Sequence, residues 1–575
     1  MASILVKWAD PRRGALPGDG EARFRRNSET RAGVYSMTDD LFFVRPNLLA
    51  EPLIDRWYAW AHLIPPVTAA RNLTHRHIPI MESFIANPTV HETAVKNPHL
   101  LGGPFVDHHV ERVGEVAKLK ADTLNRRGDL VALSAAIDDL RAVLANASGY
   151  SLEPLYEQVP EPLQGFVELV YDLNNRASFR LIEPLIYRST YADDSGQSLV
   201  FSLLSKDDRP FILSTPRLVA QNEVEVTIPF RSECLDLFFG AGRTPKTFAA
   251  LKDALGWEDA SDDAMRRLLT TEPPRPYRDD RTGPLRWRYF GHACILLEAG
   301  LVNFLVDPVL SYTYESTISR YTYDDLPDVI HYVLITHNHH DHVLIETLLR
   351  LRHRIRHIVV PRSVPGALQD PSLRLLLAHI GFANVIELDE MDEIRTIHGT
   401  IVGLPFLGEH GDLHVHSKMA WYIKAGRHRL LFAADSSTVS PAVYRQVRSA
   451  IGDVDVLFLG MECDGAPVSW IYGPLFPSPL PRSMDRARRL AGCDYGRAVE
   501  IATTFNCREA YVYAMGQEPW LNHIMAKKYT EQSDPIIASN RFIEHCRRRG
   551  IKSERLFGER ELVLEDGADI REKLT

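Results

Sequence analysis

The chain has 575 residues, 45% of them hydrophobic and 25% charged, which is typical of globular proteins and too long for one ordinary domain. Its 66 basic and 75 acidic residues give a formal net charge of −9, and no long basic block indicates a nucleic-acid partner. The start lacks a signal-peptide pattern, and no apolar run reaches the roughly 20 residues that cross a bilayer. The six cysteines are scattered without a CxxC pair, which indicates neither a disulfide scaffold nor a thiolate zinc site. Together these features lead us to expect a reduced, cytoplasmic protein without a membrane partner.

The first half of the chain is predicted to contain a loose arm and a mixed α+β domain, residues 41–255. Residues 1–40 are rich in Gly, Arg, Pro and Ser and have no apolar period, which is typical of a loose arm. Apolar residues at steps of three and four over Leu53–Ile64 predict a helix that ends at Pro65. The following residues predict helices over Ile78–Ile85, Val106–Lys120 and Leu130–Leu144, and strands over Phe179–Tyr187, Leu199–Leu204 and Val224–Ile228.

A linker and a second domain follow. The stretch 256–284 is rich in Pro, Asp and Arg and is predicted to be the linker. Strands and helices then alternate over residues 285–575. The predicted strands include Trp287–Leu297, Val302–Val306, His331–Thr336, His357–Val360, Ile401–Phe406, Ala420–Ala425, Leu430–Ala434, Val454–Leu459 and Glu509–Ala514, and the predicted helices include Asp341–Leu351, Leu373–Ile380 and Arg497–Thr504. This order fits two β-sheets with helices outside.

The strongest chemical signal is a histidine-rich motif at a strand-to-helix junction, which reads Thr-His-Asn-His-His-Asp-His over residues 336–342. On extended backbone His337 and His339 point to the same side and can hold one metal ion. Asp341 and His342, at the predicted helix start, can serve a second ion, because two ions about 3.5–4 Å apart need ligands from one tight turn. An isolated His-x-His pair would indicate only a polar loop, but the longer motif predicts a dinuclear metal site.

The motif resembles that of the metallo-β-lactamase superfamily. The segments Gly291–Ala293 and Leu305–Pro308 also resemble the opening strands of that fold. The resemblance covers Trp287–Thr575, about half of the chain, and implies an α/β protein in which a C-terminal αββα metallo-β-lactamase sandwich follows an α+β N-terminal domain. It also implies that Asp307 supports the metal ligands without binding metal itself.

The same resemblance places further ligands after later strands. Asp435 ends the strand Leu430–Ala434 and matches the bridging aspartate of the fold, whereas the alternative is an aspartate that caps a helix or a turn. The last ligand of the fold is normally a histidine after the final strand. His523 is the best candidate, and the alternative is a surface histidine on the helix that follows.

One turn departs from the pattern of the superfamily's hydrolases, which place a histidine after the strand Ile401–Phe406. Here the turn contains Glu409 and His410, and either side chain could bind metal. A glutamate would make the ligand set richer in hard oxygen donors. Such sites suit iron, especially in its higher oxidation states, better than they suit zinc.

A glutamate at this position is a feature of one branch, the diiron β-hydroxylase of chloramphenicol biosynthesis and its relatives, which this chain resembles. The long N-terminal region and the segments His62–Pro66 and Gly102–Phe105 are similar as well. The resemblance implies a non-heme diiron monooxygenase that hydroxylates the β-carbon of an amino acid. That amino acid would be held as a thioester on a carrier domain of a nonribosomal peptide synthetase. A homodimer formed through the N-terminal domain is also implied.

On this interpretation the ligands are His337, His339 and Glu409 for one iron ion, Asp341, His342 and His523 for the other, and Asp435 as the bridge. Glu409 and Asp435 would be the catalytic carboxylates. The cofactors would be two iron ions with O2, and an external reductase is implied because no flavin, nicotinamide or iron–sulfur fingerprint is found. The alternative is a dinuclear zinc hydrolase of a phosphodiester, lactone or amide. Glu409 as a ligand favours iron chemistry, and His410 as a ligand favours hydrolysis.

Overall fold

The N-terminal part combines small antiparallel sheets with a helical layer. The computed structural model describes residues 40–207, 209–220, 222–257, 262–278 and 283–564, so the predicted arm lies outside the described residues except for Asp40. The strands are β1 (Leu41–Val44), β2 (Leu48–Ile54), β3 (Trp57–Tyr58), β4 (Val167–Tyr171), β5 (Ala177–Leu181), β6 (Gln197–Leu203), β7 (Val224–Thr227), β8 (Lys246–Thr247) and β9 (Leu269–Thr270). The helices are α1 (Pro66–Asn72), α2 (Ile78–Ala86), α3 (Pro88–Val95), α4 (Val113–Arg126), α5 (Gly128–Ala145), α6 (Glu183–Ile186), α7 (Glu233–Gly240), α8 (Phe248–Leu255) and α9 (Asp262–Arg267).

The N-terminal strands form a four-stranded sheet of order β3-β2-β6-β7, a three-stranded sheet of order β8-β1-β9 and the hairpin β4-β5. A π-helical turn over Leu73–His77 joins α1 to α2. The helices predicted over Ile78–Ile85 and Leu130–Leu144 are confirmed as α2 and α5. The helix predicted over Val106–Lys120 begins later, at Val113.

The helix predicted over Leu53–Ile64 is wrong. Its first two residues belong to β2, where Leu53 pairs with Ser198 of the antiparallel strand β6, and Trp57 and Tyr58 form β3. Nearly every residue of β2 is buried, so its apolar positions do not alternate and their spacing imitates a helical period.

The N-terminal part extends further along the chain than predicted. The stretch 256–284 contains α9 and β9, and β9 pairs with β1, where Thr270 faces Phe43. Met265 and Leu269 are buried in the same core as residues of α7 and α8. The predicted linker is therefore too long, because its first half contributes apolar side chains to the N-terminal core.

The C-terminal part contains two seven-stranded sheets. The first has the order β15-β14-β13-β12-β11-β10-β25 and the second β16-β17-β18-β19-β20-β23-β24. Their strands are β10 (Leu285–Tyr289), β11 (Ile295–Ala299), β12 (Val302–Val306), β13 (Ile330–Leu334), β14 (Ile355–Pro361), β15 (Val385–Leu388), β16 (Glu393–Arg395), β17 (Thr400–Leu404), β18 (Ala420–Ala425), β19 (His428–Phe432), β20 (Val456–Gly460), β23 (Glu509–Tyr513), β24 (Lys552–Arg555) and β25 (Arg560–Leu564). A short pair, β21 (Ala466–Pro467) and β22 (Arg489–Leu490), lies between β20 and β23 in sequence.

The two sheets pack face to face with helices outside them. One apolar core contains Trp287 and Phe304 from the first sheet together with Trp421, Phe458 and Tyr511 from the second. The helices are α10 (Ile345–Leu351), α11 (Leu373–His379), α12 (Pro441–Ile451), α13 (Ser469–Tyr472), α14 (Arg482–Ala487), α15 (Tyr495–Thr504) and α16 (Asp534–Arg548). The predicted fold class, an αββα sandwich preceded by an α+β region, is confirmed.

The two parts share a continuous hydrophobic core. Leu49 and Phe238 of the N-terminal part belong to the same buried cluster as Leu305, Val333 and Leu348 of the first C-terminal sheet and its covering helix. The N-terminal part therefore takes the place of solvent on one outer face of the sandwich. No helix in the described part of the chain is both long and apolar enough to cross a membrane.

Candidate metal centre

The predicted metal ligands lie in loops at one edge of the two sheets. The histidine-rich motif follows β13, and Asp435 follows β19. Helix α10 begins only at Ile345, so Asp341 and His342 lie in the loop and not at the helix start as predicted. The backbone of Asp307, Glu409 and Ala434 in neighbouring loops has positive φ values of 40°, 68° and 45°. Such left-handed backbone is costly for residues other than glycine and is often found at functional sites.

A first group of possible metal donors contains His337, His339 and Glu409. One donor atom from each side chain lies within 4.8 Å of the others, and all three residues are buried. The Nδ1 atom of His339 lies 2.7 Å from Oε1 of Glu409, and Nε2 of His337 lies 3.7 Å from Oε2 of Glu409. This group joins the motif to the turn after β17, as the sequence predicts.

A second group contains His337, His342 and Asp435, again with donor atoms within 4.8 Å of one another. Oδ2 of Asp435 lies 3.2 Å from Nε2 of His342 and 3.8 Å from Nε2 of His337. The carboxylate therefore faces one histidine of each predicted iron site. This is the position that a bridging ligand needs, because a carboxylate has two oxygens to share between two ions.

A third group contains His292, Asp341 and His342. Nε2 of His292 lies 3.2 Å from Oδ2 of Asp341, and Nε2 of His342 lies 3.8 Å from the same oxygen. His292 was not predicted to bind metal. Its position in the turn before β11, and the other histidines at strand ends on this edge, are the only signals in the sequence that point to it.

His523 is not part of any of these groups, which is a correction to the ligand set predicted from the sequence. Its Nδ1 donates to the carbonyl oxygen of Trp520 at 3.0 Å. Its Nε2 lies 3.1 Å from Nη1 of Arg209, which donates to it. Both ring nitrogens are therefore occupied, because the chain after β23 turns this histidine towards the N-terminal part.

The geometry of the turn after β17 favours Glu409 over His410 as the metal donor. Nδ1 of His410 and the hydroxyl of Tyr472 are hydrogen-bonded at 2.7 Å. Its Nε2 lies 3.1 Å from Oε2 of Glu409, and it belongs to none of the three groups found among the described residues. Glu409 lies between the two histidines of the first group, so the structure supports Glu409 as the donor at this turn.

The buried donors fit a metal cluster because several of them lack partners. Among the described residues, the atoms that face this centre and are buried without a hydrogen bond are Nε2 of His337, Oε2 of Glu409 and Oδ1 of Asp435. An unpaired buried polar atom costs about 1–3 kcal/mol, and proteins rarely leave several together. Three carboxylates also crowd this space. Cations between these atoms would satisfy them and balance the carboxylate charge.

The ionisation of the centre reflects the same crowding. Burial raises the pKa of Glu409, and the nearby carboxylate of Asp435 raises it further, although His339 lowers it. Burial lowers the pKa of His337 well below its ordinary value. The pKa of His342 is raised well above its ordinary value because Asp307 and Asp341 outweigh the effect of burial.

Asp307 holds two residues of the motif in place. Its Oδ2 accepts hydrogen bonds from Oγ1 of Thr336 at 2.6 Å and from Nδ1 of His342 at 2.8 Å. Its Oδ1 accepts from the backbone N–H of Thr336 at 2.8 Å. Because a carboxylate only accepts, the proton of neutral His342 is on Nδ1 and Nε2 is left with a lone pair. This is the supporting contact that the resemblance implies for Asp307.

A cavity of about 700 Å³ lies between the N-terminal part and the loop after β20. Trp60 and Trp470 line it, and their ring centroids lie 6.4 Å and 5.1 Å from that of His340, the neighbour of Asp341. Trp470 is fixed by a hydrogen bond of 2.9 Å from its indole N–H to the carbonyl of Gly102. The cavity therefore ends at an aromatic wall beside the metal centre. A larger cavity of about 880 Å³ contains no residue of the metal centre.

Comparisons with known proteins agree with the predicted resemblance. A family model described as the diiron non-heme β-hydroxylase N-terminal domain matches residues 43–273, and a β-lactamase superfamily domain matches residues 302–467. The chain is 39% identical over 534 residues to the 4-amino-L-phenylalanyl-[CmlP-peptidyl-carrier-protein] 3-hydroxylase of Streptomyces venezuelae, which covers 91% of this chain and 100% of that protein.

Solved structures agree as well. The crystal structure of CmlA, a diiron β-hydroxylase from Streptomyces venezuelae, matches with a TM-score of 0.87 and 39% identity over 92% of this chain and 100% of that one. A variant of the CmlA β-hydroxylase matches with a TM-score of 0.84 and 38% identity over 91% of this chain and 100% of that one.

Proposed function

The chain belongs to the family of diiron non-heme β-hydroxylases, and we propose that its substrate is an aminoacyl group tethered to a carrier domain of a nonribosomal peptide synthetase. Membership of this family confirms the prediction of a hydroxylase with two iron ions. It favours that prediction over the alternative of a zinc hydrolase. The Streptomyces venezuelae relative is a hydroxylase of an aminoacyl group on a peptidyl carrier protein, which supports the tethered substrate. The reaction would insert one oxygen atom at the β-carbon.

We propose that seven side chains hold the iron ions. His337, His339 and Glu409 would bind one ion and His292, Asp341 and His342 the other, with Asp435 between them. The observation that carries this assignment is the convergence of buried donor atoms from four separate loops, several of them unpartnered, with Glu409 beside both His337 and His339.

The iron ions supply oxygen activation, and the protein's residues prepare the place where it happens. Asp307 keeps the proton of His342 on Nδ1, and Tyr472 fixes the ring of His410 beside Glu409. Trp60 and Trp470 form the aromatic inner end of the cavity beside the centre and help exclude water. A monooxygenase reaction consumes O2, two electrons and two protons and releases water with the hydroxylated product. We infer that an external reductase supplies the two electrons.

The proposal is tested by incubating the iron-loaded protein with aminoacylated carrier domains, a chemical reductant and ¹⁸O2. We expect one ¹⁸O atom in the released amino acid, detected by mass spectrometry, and about two iron ions per chain. His337→Ala should abolish both results, while His416→Ala, an exposed histidine outside the three groups, should leave them unchanged. Bound zinc together with hydrolysis of an ester or phosphodiester, and no oxygen insertion, would refute the assignment.

We also propose a homodimer formed through the N-terminal part and a cytoplasmic location. Large apolar side chains exposed on the N-terminal part support the first proposal, among them Val90, Tyr150 and Leu173, which are 57%, 81% and 104% exposed. The six free cysteines support the second. Light scattering at several protein concentrations tests the dimer, and a monomer at all of them would contradict it.

A further inference from the structure

Helix α14 borders the cavity that ends at the metal centre. Leu480 and Asp485 line this cavity. The carboxylate of Asp485 accepts hydrogen bonds from the backbone N–H of Ser469 at 2.9 Å and from its hydroxyl at 2.7 Å. Ser469 precedes Trp470, whose ring lies beside His340. The helix is therefore fixed to the same segment that closes the inner end of the cavity.

The outward side chains of this helix are basic, although the whole chain has a net charge of −9. Residues 482–489 contain four arginines and one aspartate. Arg488 donates to a backbone carbonyl at 2.7 Å, and Arg489 forms an ion pair of 2.7 Å. Arg482 and Arg486 are exposed and form no hydrogen bond or ion pair within the described ranges. Two unpaired cations beside a cavity favour an anionic partner.

An exposed apolar side chain lies between these two arginines in sequence. Met484 is 57% exposed, while most large apolar residues of the chain are buried. Protein interfaces commonly combine an apolar contact with a charged rim, and methionine is enriched in them. Its flexible side chain also adapts to the shape of a partner. The combination therefore indicates a protein surface more than a site for a free small anion.

We propose that Arg482, Met484 and Arg486 form a docking surface, the α14 surface, for the carrier domain that delivers the substrate. The proposal rests on the proposed function. A carrier domain holds its aminoacyl group on a long flexible arm that is joined to the domain through a phosphodiester. The arm must enter the cavity while the domain stays outside, so the negatively charged root of the arm remains at the rim. The α14 surface lies on the helix whose Asp485 lines the cavity, and it offers two cations and an apolar contact to the part of the partner that stays outside.

The test measures binding without requiring hydroxylation. Fluorescence anisotropy gives the Kd of the iron-loaded full chain for labelled, phosphopantetheinylated carrier domains of peptide synthetases, including CmlP. We expect Arg482→Glu/Arg486→Glu to raise Kd by about tenfold or more, and the loss to shrink at high salt. Met484→Ala should raise Kd by about threefold. The matched control Arg547→Glu/Arg549→Glu makes the same charge change at the end of α16, where no residue lines the cavity, and should bind like the wild type.

Three results would overturn the docking proposal. The wild type could fail to bind every carrier domain, the α14 variants could bind as tightly as the wild type, or the control could lose as much affinity as they do. Circular dichroism and iron content of each variant, compared with the wild type, establish that it has folded. Binding of the wild type without oxygen insertion would instead refute the proposed function, so the two failures are distinguishable.

Discussion

Substitution of Asp307 by asparagine tests how the protein prepares His342 for iron. Asparagine has nearly the same shape, and its carbonyl oxygen can still accept from the backbone N–H of Thr336, as Oδ1 of Asp307 does at 2.8 Å. Its amide nitrogen would then face Nδ1 of His342, which now lies 2.8 Å from Oδ2. Two donors would oppose each other, and the imidazole can avoid this only by moving its proton to Nε2.

The expected loss follows from which nitrogen loses its lone pair. Nε2 of His342 faces Asp341 and Asp435 at 3.8 Å and 3.2 Å, so a proton there opposes metal binding at the proposed second iron site. Loss of a supporting carboxylate typically weakens metal affinity about 10- to 100-fold, or roughly 1.4–2.7 kcal/mol. Anaerobic titration with ferrous iron should give Asp307→Asn one weakened site, while the site that contains His339 keeps its affinity.

A matched control separates this effect from the loss of a carboxylate that accepts hydrogen bonds from a threonine. Oδ2 of Asp325 accepts from the backbone N–H of Thr322 at 2.8 Å and from its hydroxyl at 3.2 Å, but it contacts no histidine. Asp325→Asn should therefore remove a negative charge beside a threonine N–H and hydroxyl, as Asp307→Asn does, and bind both iron ions like the wild type. Wild-type iron affinity at both sites in Asp307→Asn would refute the reasoning about the proton of His342.

Three further predictions concern the rest of the molecule. Arg209→Met should lower the free energy of unfolding in urea by about 3–5 kcal/mol, because Glu51 and Glu346 lose a buried partner, and a loss below about 1 kcal/mol would contradict this. Burial raises the pKa of Glu183 from 4.5 to about 7, so the folded state holds this proton more tightly than the unfolded chain does. The free energy of unfolding of the wild type should therefore fall by up to roughly 3 kcal/mol as the pH rises from 4.5 to 7, and Glu183→Gln should remove that fall. Gly102→Ala should cost about 1–3 kcal/mol by thermal melting, because φ is +76° and the new Cβ would lie 2.7 Å from a neighbouring side chain; an unchanged melting temperature would contradict it.

The parts of the site that depend on local geometry were predictable from the sequence. His337, His339 and His342 occur within six residues of one another after a buried strand, so the strand end determines where they point. Asp435 follows the end of β19 by three residues and shares a group of possible donors with His337 and His342. In each case only a few residues separate the buried strand from the ligand. The family resemblance then supplied the αββα architecture around them.

The parts that depend on distant contacts were not predictable. The helix expected over Leu53–Ile64 is instead the end of β2, the short strand β3 and a turn, because the pairing of β2 with β6, far away in sequence, decides the structure of this buried apolar run. His523 was expected beside Asp341, but the nine residues between it and the end of β23 turn it away. No periodicity in this loop reveals that turn, because it is determined by a contact with Arg209.

The position of His523 and the presence of the N-terminal part are connected. Arg209, from the N-terminal part, donates to His523 and to both carboxylate oxygens of Glu346 on α10. The same carboxylate accepts from the hydroxyl of Tyr58, and Arg209 also pairs with Glu51. A histidine bound in this buried network has no lone pair left for a metal ion. His292, from the turn before β11, lies 3.2 Å from Asp341 instead. Attachment of the N-terminal part thus engages the histidine after the last strand, and a histidine from the opposite sheet faces the second iron site.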